Sequence, residues 1–186
     1  MTEPPREQTR RAARKASSLV LVNTGEGKGK STAAFGTALR AAGRGWPVCV
    51  IQFLKSDRWK TGEEKAARRL GIDWWTLGDG FTWDSEDMER TEAVGRAAWA
   101  AAREKIASGA YKLVVLDEIT YAVTWGWIDE TEVVEAIRSR PADVSVIVTG
   151  RDAPAAIVEL ADTVTEMVKR KHAFDSGITA LAGIEF

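Results

Sequence analysis

Cysteine and histidine are almost absent from this chain: Cys49 and His172 are the sole representatives among 186 residues. One cysteine excludes a disulfide framework and a cysteine zinc site, and one histidine excludes a multi-histidine metal cluster. An excess of one charge is missing too. The formal net charge is −1, whereas a general nucleic-acid binder usually carries a basic surplus. No apolar run approaches the roughly 20 residues of a membrane-spanning helix. The amino terminus lacks the apolar core of a signal peptide, so the cytoplasm is the expected location by default. Repeats, linkers and low-complexity stretches are also missing from residues 18–186. What is abundant is tryptophan, with eight. Trp59, Trp74, Trp75, Trp83 and Trp127 fall in or near expected loops or element ends, where core packing competes with contact to a flat apolar ligand. With 45% hydrophobic and 28% charged residues, the chain suits one soluble domain with a sizeable core.

The most informative stretch is LVLVNTGEGKGKST, from Leu19 to Thr32. Leu19–Val22 has the aliphatic, half β-branched character of a buried strand. Gly25, Gly27 and Gly29 alternate with polar residues, so the backbone can wrap closely around a ligand. Lys30-Ser31 stands where a helix begins, which turns backbone N–H groups and a positive helix end toward the loop. A polyphosphate fits that geometry, with Lys30 reaching its oxygens and the Ser31 hydroxyl ligating Mg²⁺. The common pattern G-x-x-x-x-G-K-[ST] asks for glycine at position 24, where this chain has Thr24. Either Thr24 fills the glycine's place or the loop is one residue shorter. The candidate ATP-binding set is Thr24, Gly25, Glu26, Gly27, Lys28, Gly29, Lys30, Ser31 and Thr32, joined by Arg151.

Strand and helix then alternate. Residues 30–42 form a helix with Ala34, Leu39 and Ala42 as its apolar stripe, ended by Gly43 and Gly45. A parallel-sheet strand spans 47–53, with Gln52, Lys55 and Ser56 at its carboxyl end, where ligands bind in open α/β sheets. Thr61 and Glu64 form a capping box for a helix to Leu70. A strand over 72–77 leads to the loop 78–83, and Asp84 or Ser85 caps an alanine-rich helix to about Ile106, striped by Val94, Ala98, Ala101 and Ile106. Further strands fall at 111–118, 144–149 and 163–168, with helices from Asp129 to Arg138 and after Pro154. The tail from Lys169 is irregular, with room for a closing strand. The expected fold is α/β, phosphate-loop NTPase-like, with a mostly parallel sheet and helices on both faces. Residues 18–186 make one domain. Residues 1–17 make a flexible arm with five basic and two acidic residues, read either as a solvated tail or as a segment that orders over a ligand or partner.

Chemistry concentrates at strand ends. Asp117 and Glu118 follow the apolar run Leu113–Leu116, and both are candidate metal contacts beside Ser31. Glu118 is also a candidate for polarising a water. Arg151 follows another strand and suits phosphate, though a solvated arginine fits as well. His172 near Asp175 is a candidate catalytic pair, set against the commoner role of a lone structural histidine. Phe81 and Trp83 flank Thr82 in the 78–83 loop, where they either pack onto the core or meet an apolar ligand.

At this point the chain resembles a known family, the ATP:corrinoid adenosyltransferases of the cobalamin pathway. The matching stretches include TGEGKGKST at 24–32, VIQFLK at 50–55, GFTW at 80–83, VVLDEITYAV at 114–123, VTGRDAP at 148–154 and KHAFDSGITALAGIEF at 171–186. The shortened phosphate loop is a trait of that family. The resemblance implies attack by reduced cobalt(I) of a corrinoid on C5′ of ATP, with release of triphosphate. It implies catalytic roles for Lys30 and Glu118, Mg²⁺ (or Mn²⁺) at Ser31, Glu118 and Asp117, and corrinoid contacts from Phe81 and Trp83 that exclude a lower axial cobalt ligand. It further implies a homodimer, an electron donor such as a reduced flavoprotein, and an arm that acts as a corrinoid lid. Neither nucleic acid nor membrane is an expected partner. Two other readings remain: a small phosphate-loop kinase or ATPase, and a recombinase-like, nucleic-acid-stimulated ATPase.

Overall fold

A computed structural model describes residues 15–55, 61–77 and 88–185, with residues 88–90 by backbone alone. Six parallel strands form one sheet: β1 (Val20–Thr24), β2 (Val48–Gln52), β3 (Asp73–Thr76), β4 (Leu113–Asp117), β5 (Ser145–Thr149) and β6 (Thr163–Glu166), in spatial order β3-β2-β4-β5-β1-β6. The helices are α1 (Lys30–Ala42), α2 (Gly62–Arg69), α3 (Met88–Ala107), α4 (Ile119–Thr124), α5 (Glu130–Arg138) and α6 (Ala155–Leu160). The parallel sheet is the one expected.

Successive strand residues feed opposite cores, as the period of two requires. Val20, Val22, Cys49, Ile51, Val114, Leu116, Val146 and Val148 pack with α3, α5 and α6. Val48, Val50, Leu113, Val115 and Ile147 pack with α1 and α2. Because both faces are covered, β2, β4 and β5 are buried along their whole length, which explains their unbroken apolar runs.

The helix caps follow the sequence closely. The Thr61 hydroxyl accepts the Glu64 N–H, and Asp129 accepts the Thr131 N–H at 2.7 Å. The helix stripes differ from expectation. On α1 the buried residues are Ala34, Phe35, Ala38 and Ala41, while Leu39 is exposed. On α3 they are Thr91, Gly95, Ala98, Trp99, Ala102 and Ile106. Small residues win these positions because the helices lie close to their neighbours. A Cβ at Gly95 would sit 3.2 Å from the Trp127 ring. Trp74 and Trp127 are core residues, so they are withdrawn as ligand contacts. Helix α4 was not anticipated. The tail carries a 3-10 turn at Ala173–Ser176, and no strand closes it among the described residues. The aromatic loop with Phe81 and Trp83, the caps Asp84 and Ser85, and most of the basic arm lie outside the described residues.

Strand β4 is the spine of the sheet, with no exposed side chain. Leu116→Ala leaves a void that a sheet packed on both faces cannot close. The expected loss is about 3 kcal/mol of unfolding free energy with the denaturant m-value unchanged, measurable by urea titration.

Candidate phosphate-loop site

Thr24 is the last residue of β1, not a turn residue. Its hydroxyl accepts the Ala153 N–H at 3.2 Å, and its carbonyl accepts the Met167 N–H at 2.8 Å. The turn proper runs from Gly25 to Gly29, so the shorter-loop alternative holds. Gly25 (φ 94°) and Gly29 (φ 112°) occupy left-handed backbone. At Gly25 and Gly27 an added Cβ would lie 2.6 and 2.7 Å from the Met167 carbonyl oxygen. That carbonyl also accepts the Gly27 N–H at 2.6 Å. The backbone leaving β6 therefore presses on the loop, and only glycine fits. Helix α1 starts at Lys30 with no side-chain cap, so among the described residues its first N–H groups are left open toward the loop. The Asn23 amide holds the Lys30 carbonyl at 3.2 Å.

The Lys30 ammonium folds back over this turn and donates to the carbonyls of Gly25 and Gly27, both at 2.7 Å. Burial lowers its pKa first and the nearby Arg151 lowers it further, while Glu118, Glu26 and Asp117 oppose both. The Ser31 hydroxyl makes no hydrogen bond among the described residues.

Across the loop stands the end of β4. Strand β5 separates β4 from β1, and its last residue, Thr149, bridges the gap. The Thr149 hydroxyl donates to Asp117 Oδ1 at 2.7 Å and accepts the Glu118 N–H at 2.9 Å. Asp117 Oδ2 accepts from Gln52 Nε2 at 2.9 Å, and Gln52 Oε1 accepts from the Trp74 indole at 2.9 Å. Asp117 is fully buried with both oxygens engaged. Glu118 adopts φ 63°, ψ 21°, a left-handed conformation that costs a non-glycine residue on the order of 1–3 kcal/mol. Its carboxylate has no hydrogen-bond or ion-pair partner among the described residues. Burial, and then the Asp117 charge, push it up to about 7, against the pull of Lys55, Lys30 and Arg151.

Arg151 follows β5 beside the loop, with Nη1 3.3 Å from Glu26 Oε2. Its carbonyl accepts the Thr120 hydroxyl at 2.6 Å. Gly150 (φ 140°) leaves the room: a Cβ there would fall 1.9 Å from that hydroxyl oxygen. Lys28 pairs with Glu185 of the tail. Lys30, Asp117, Glu118 and Arg151, singled out in the sequence, thus share one electrostatic neighbourhood with Lys55. The His172–Asp175 catalytic pair does not form. His172 Nδ1 accepts the Phe174 N–H at 3.1 Å, capping the 3-10 turn, and Asp175 binds Lys169. Thr149, Thr120 and Met167 were missed. Nothing local marks them, because each acts through a contact distant in sequence.

Residues 16–186 match the family model described as ATP:corrinoid adenosyltransferase BtuR/CobO/CobP. The chain is 44% identical over 168 residues to a protein of Escherichia coli K12 named corrinoid adenosyltransferase, with 90% of this chain and 85% of that one aligned. A Pseudomonas aeruginosa protein of the same name is 44% identical over 176 residues, covering 94% and 86%. A Salmonella typhimurium relative, also a corrinoid adenosyltransferase by name, is 42% identical, covering 90% and 85%. The chain belongs to this family. Among solved structures, a KaiC-like protein of Pyrococcus horikoshii overlaps with a TM-score of 0.48 at 17% identity, covering 84% of this chain and 75% of that one. The family match takes in every residue of the loop, the β4 end and the β5 turn, and omits only the first fifteen residues of the arm.

The raised Glu118 carboxyl has a measurable consequence. The folded chain holds that proton more tightly than the unfolded chain does, where the group titrates near 4.5. The resulting stability is complete below the unfolded value and is lost as pH rises through about 7. Glu118→Gln removes the titration. In metal-free buffer, the variant's Tm relative to wild type is expected to climb between about pH 5 and about pH 8. Thermal melts across that range check it; a constant difference would mean that Glu118 titrates alike in both states.

Proposed function

We propose that this chain transfers the 5′-deoxyadenosyl group of ATP to the cobalt(I) of a corrinoid, with triphosphate as the leaving group. Family membership supplies the reaction. The observation that carries the assignment of roles is the shortened loop, with Lys30 curled onto its carbonyls, facing an unpartnered Glu118. In the reaction the cobalt electron pair forms the bond to C5′, the C5′–O bond breaks, and triphosphate departs with that bonding pair. The nucleophile belongs to the substrate, so the protein needs no nucleophilic serine, cysteine or histidine. Its own candidates fit that view: burial pushes the Cys49 thiol up to about 12, and His172 is occupied as a cap.

The protein's task is to hold and stabilise the charge of the leaving triphosphate. The loop N–H groups and the free start of α1 receive phosphate oxygens. Lys30 leaves the Gly25 and Gly27 carbonyls for the phosphates, and Arg151 leaves Glu26 for the same target. The side chains of Glu26 and Lys28 turn to ion pairs with flanking segments, so these two positions serve ATP through their backbone.

The residues present fit a divalent cation. Among the described residues no cluster of three or more His, Cys, Asp or Glu could hold a metal alone, so phosphate oxygens must complete its shell. The half-buried Glu118 carboxylate, without a hydrogen-bond or ion-pair partner among the described residues, and the Ser31 hydroxyl are the protein ligands in this reading, for Mg²⁺ or Mn²⁺. Asp117, with both oxygens engaged, orients the turn behind them. The ion would neutralise charge on the departing oxygens.

Phe81 and Trp83 serve as the corrinoid contacts and keep a lower axial ligand off the cobalt, so that a partner such as a reduced flavoprotein can deliver the electron. The basic arm acts as the corrinoid lid within a homodimer. No helix among the described residues is long and apolar enough to cross a membrane.

The deciding assay is product analysis after anaerobic incubation with ATP and reduced corrinoid. Adenosylated corrinoid and triphosphate in equal amounts are expected; ADP and phosphate would return the chain to the kinase or ATPase class. Lys30→Ala is expected to lower kcat/KM about 10²-fold, since one charge-assisted contact to the leaving group stabilises it by ~3 kcal/mol. A loss under threefold would remove Lys30 from the mechanism. Replacing Phe81 and Trp83 together by alanine is expected to slow the reaction from cobalt(II) with a weak reductant far more than the reaction from chemically prepared cobalt(I). Equal losses in the two assays would leave the pair a purely structural role.

A further inference from the structure

Beside the loop, on the side away from Glu118, lies a cavity of about 280 Å³. It is lined by Gly27 and Lys28 of the loop and by the tail from Val168 to Ala173, with Glu185 at its border. Four of these residues are basic: Lys28, Lys169, Arg170 and Lys171. In a chain of net charge −1 that concentration is local, not a general surplus. Two of the four are neutralised, Lys28 by Glu185 and Lys169 by Asp175. Arg170 and Lys171 have no ion pair among the described residues. His172 uses Nδ1 to accept the Phe174 N–H, which places any ring proton of the neutral form on Nε2, as a donor. The wall of the cavity is therefore rich in donors and free cations.

The cavity also stands at a fixed position relative to the phosphate loop. Strand β6 pairs with β1 through Glu166, and Met167 makes backbone hydrogen bonds to Thr24 and Gly27. The basic residues begin two positions later. Gly27 and Lys28 belong to both the loop and the cavity wall, so a phosphate bound there would lie next to the loop. Guanidinium, ammonium and imidazole groups lining one opening beside a phosphate loop suit a phosphate better than a carboxylate, which offers fewer acceptor directions.

We propose that this cavity is a phosphate-binding subsite outside the loop, with Arg170 and Lys171 as its charged donors. The proposal rests on the reading of Gly25–Ser31 as a polyphosphate loop. The phosphate comes either from bound ATP or from a separate inorganic ion.

The test uses the full chain, Arg170→Gln/Lys171→Gln, and a control pair on α2, Lys65→Gln/Arg69→Gln, which removes the same charge elsewhere. Inorganic tripolyphosphate is titrated calorimetrically without corrinoid, and KM for ATP is measured separately. The tail variant is expected to lose roughly tenfold in tripolyphosphate affinity, as for one charged contact, with the control unchanged. If the phosphate belongs to ATP, KM for ATP rises with it; if it is a separate ion, KM stays and only the titration changes. Unchanged affinity in the tail variant, an equal loss in the control, or no tripolyphosphate binding by wild type would each overturn the subsite. Because the titration needs no turnover, a chain inactive on corrinoids whose tail variant still loses affinity would sink the transferase reading and leave the subsite standing.

Discussion

A buried carboxylate organises this fold. Asp117 is wholly removed from water at the end of the central strand, where an uncompensated charge would cost several kcal/mol. Its compensation draws on three other strands. Thr149 of β5 and Gln52 of β2 each donate to it, and Trp74 of β3 holds Gln52 in place. The same Thr149 hydroxyl then accepts the Glu118 N–H, stabilising the left-handed turn that follows. One buried carboxylate thus ties the ends of four neighbouring strands together and fixes the turn that carries Glu118. A half-satisfied version of this network would be worse than none, which explains why its members are so completely hydrogen-bonded.

The phosphate loop is shaped by a second constraint, steric in origin. Met167 brings backbone within 3 Å of where side chains would stand at Gly25 and Gly27. The glycines therefore answer to β6 as much as to a ligand. Thr24 shows the same logic. Its side chain is needed to hold Ala153, so β1 is extended to it and the turn is shortened behind it.

Much of this was legible in the sequence, for local reasons. The strands announce themselves as apolar runs because both sheet faces are covered, and the caps at Thr61 and Asp129 are short-range hydrogen bonds. That Lys30, Asp117, Glu118 and Arg151 lie near one another was legible because strand ends of a parallel sheet converge on one edge. Helix α4 escaped because its sequence, ITYAVT, is rich in β-branched residues and begins directly after a strand. The helix stripes were mis-phased because close approach rewards alanine and glycine over leucine, which hydrophobicity alone does not foresee. The engagement of Asp117 by Gln52 spans 65 residues, and no local pattern encodes such a contact.

The posture of Lys30 has a kinetic side. The Lys30 ammonium is satisfied by two carbonyls of its own loop, so in the proposed role those carbonyls compete with the polyphosphate. An arriving polyphosphate must displace the loop's hold on that side chain, which subtracts from the affinity that the same contacts would otherwise deliver. On the proposed reaction the reverse would hold at release, since the Gly25 and Gly27 carbonyls offer Lys30 a place to return to. In that role the loop would act as a clasp with two closed positions, the observed one on itself and a second on the ligand.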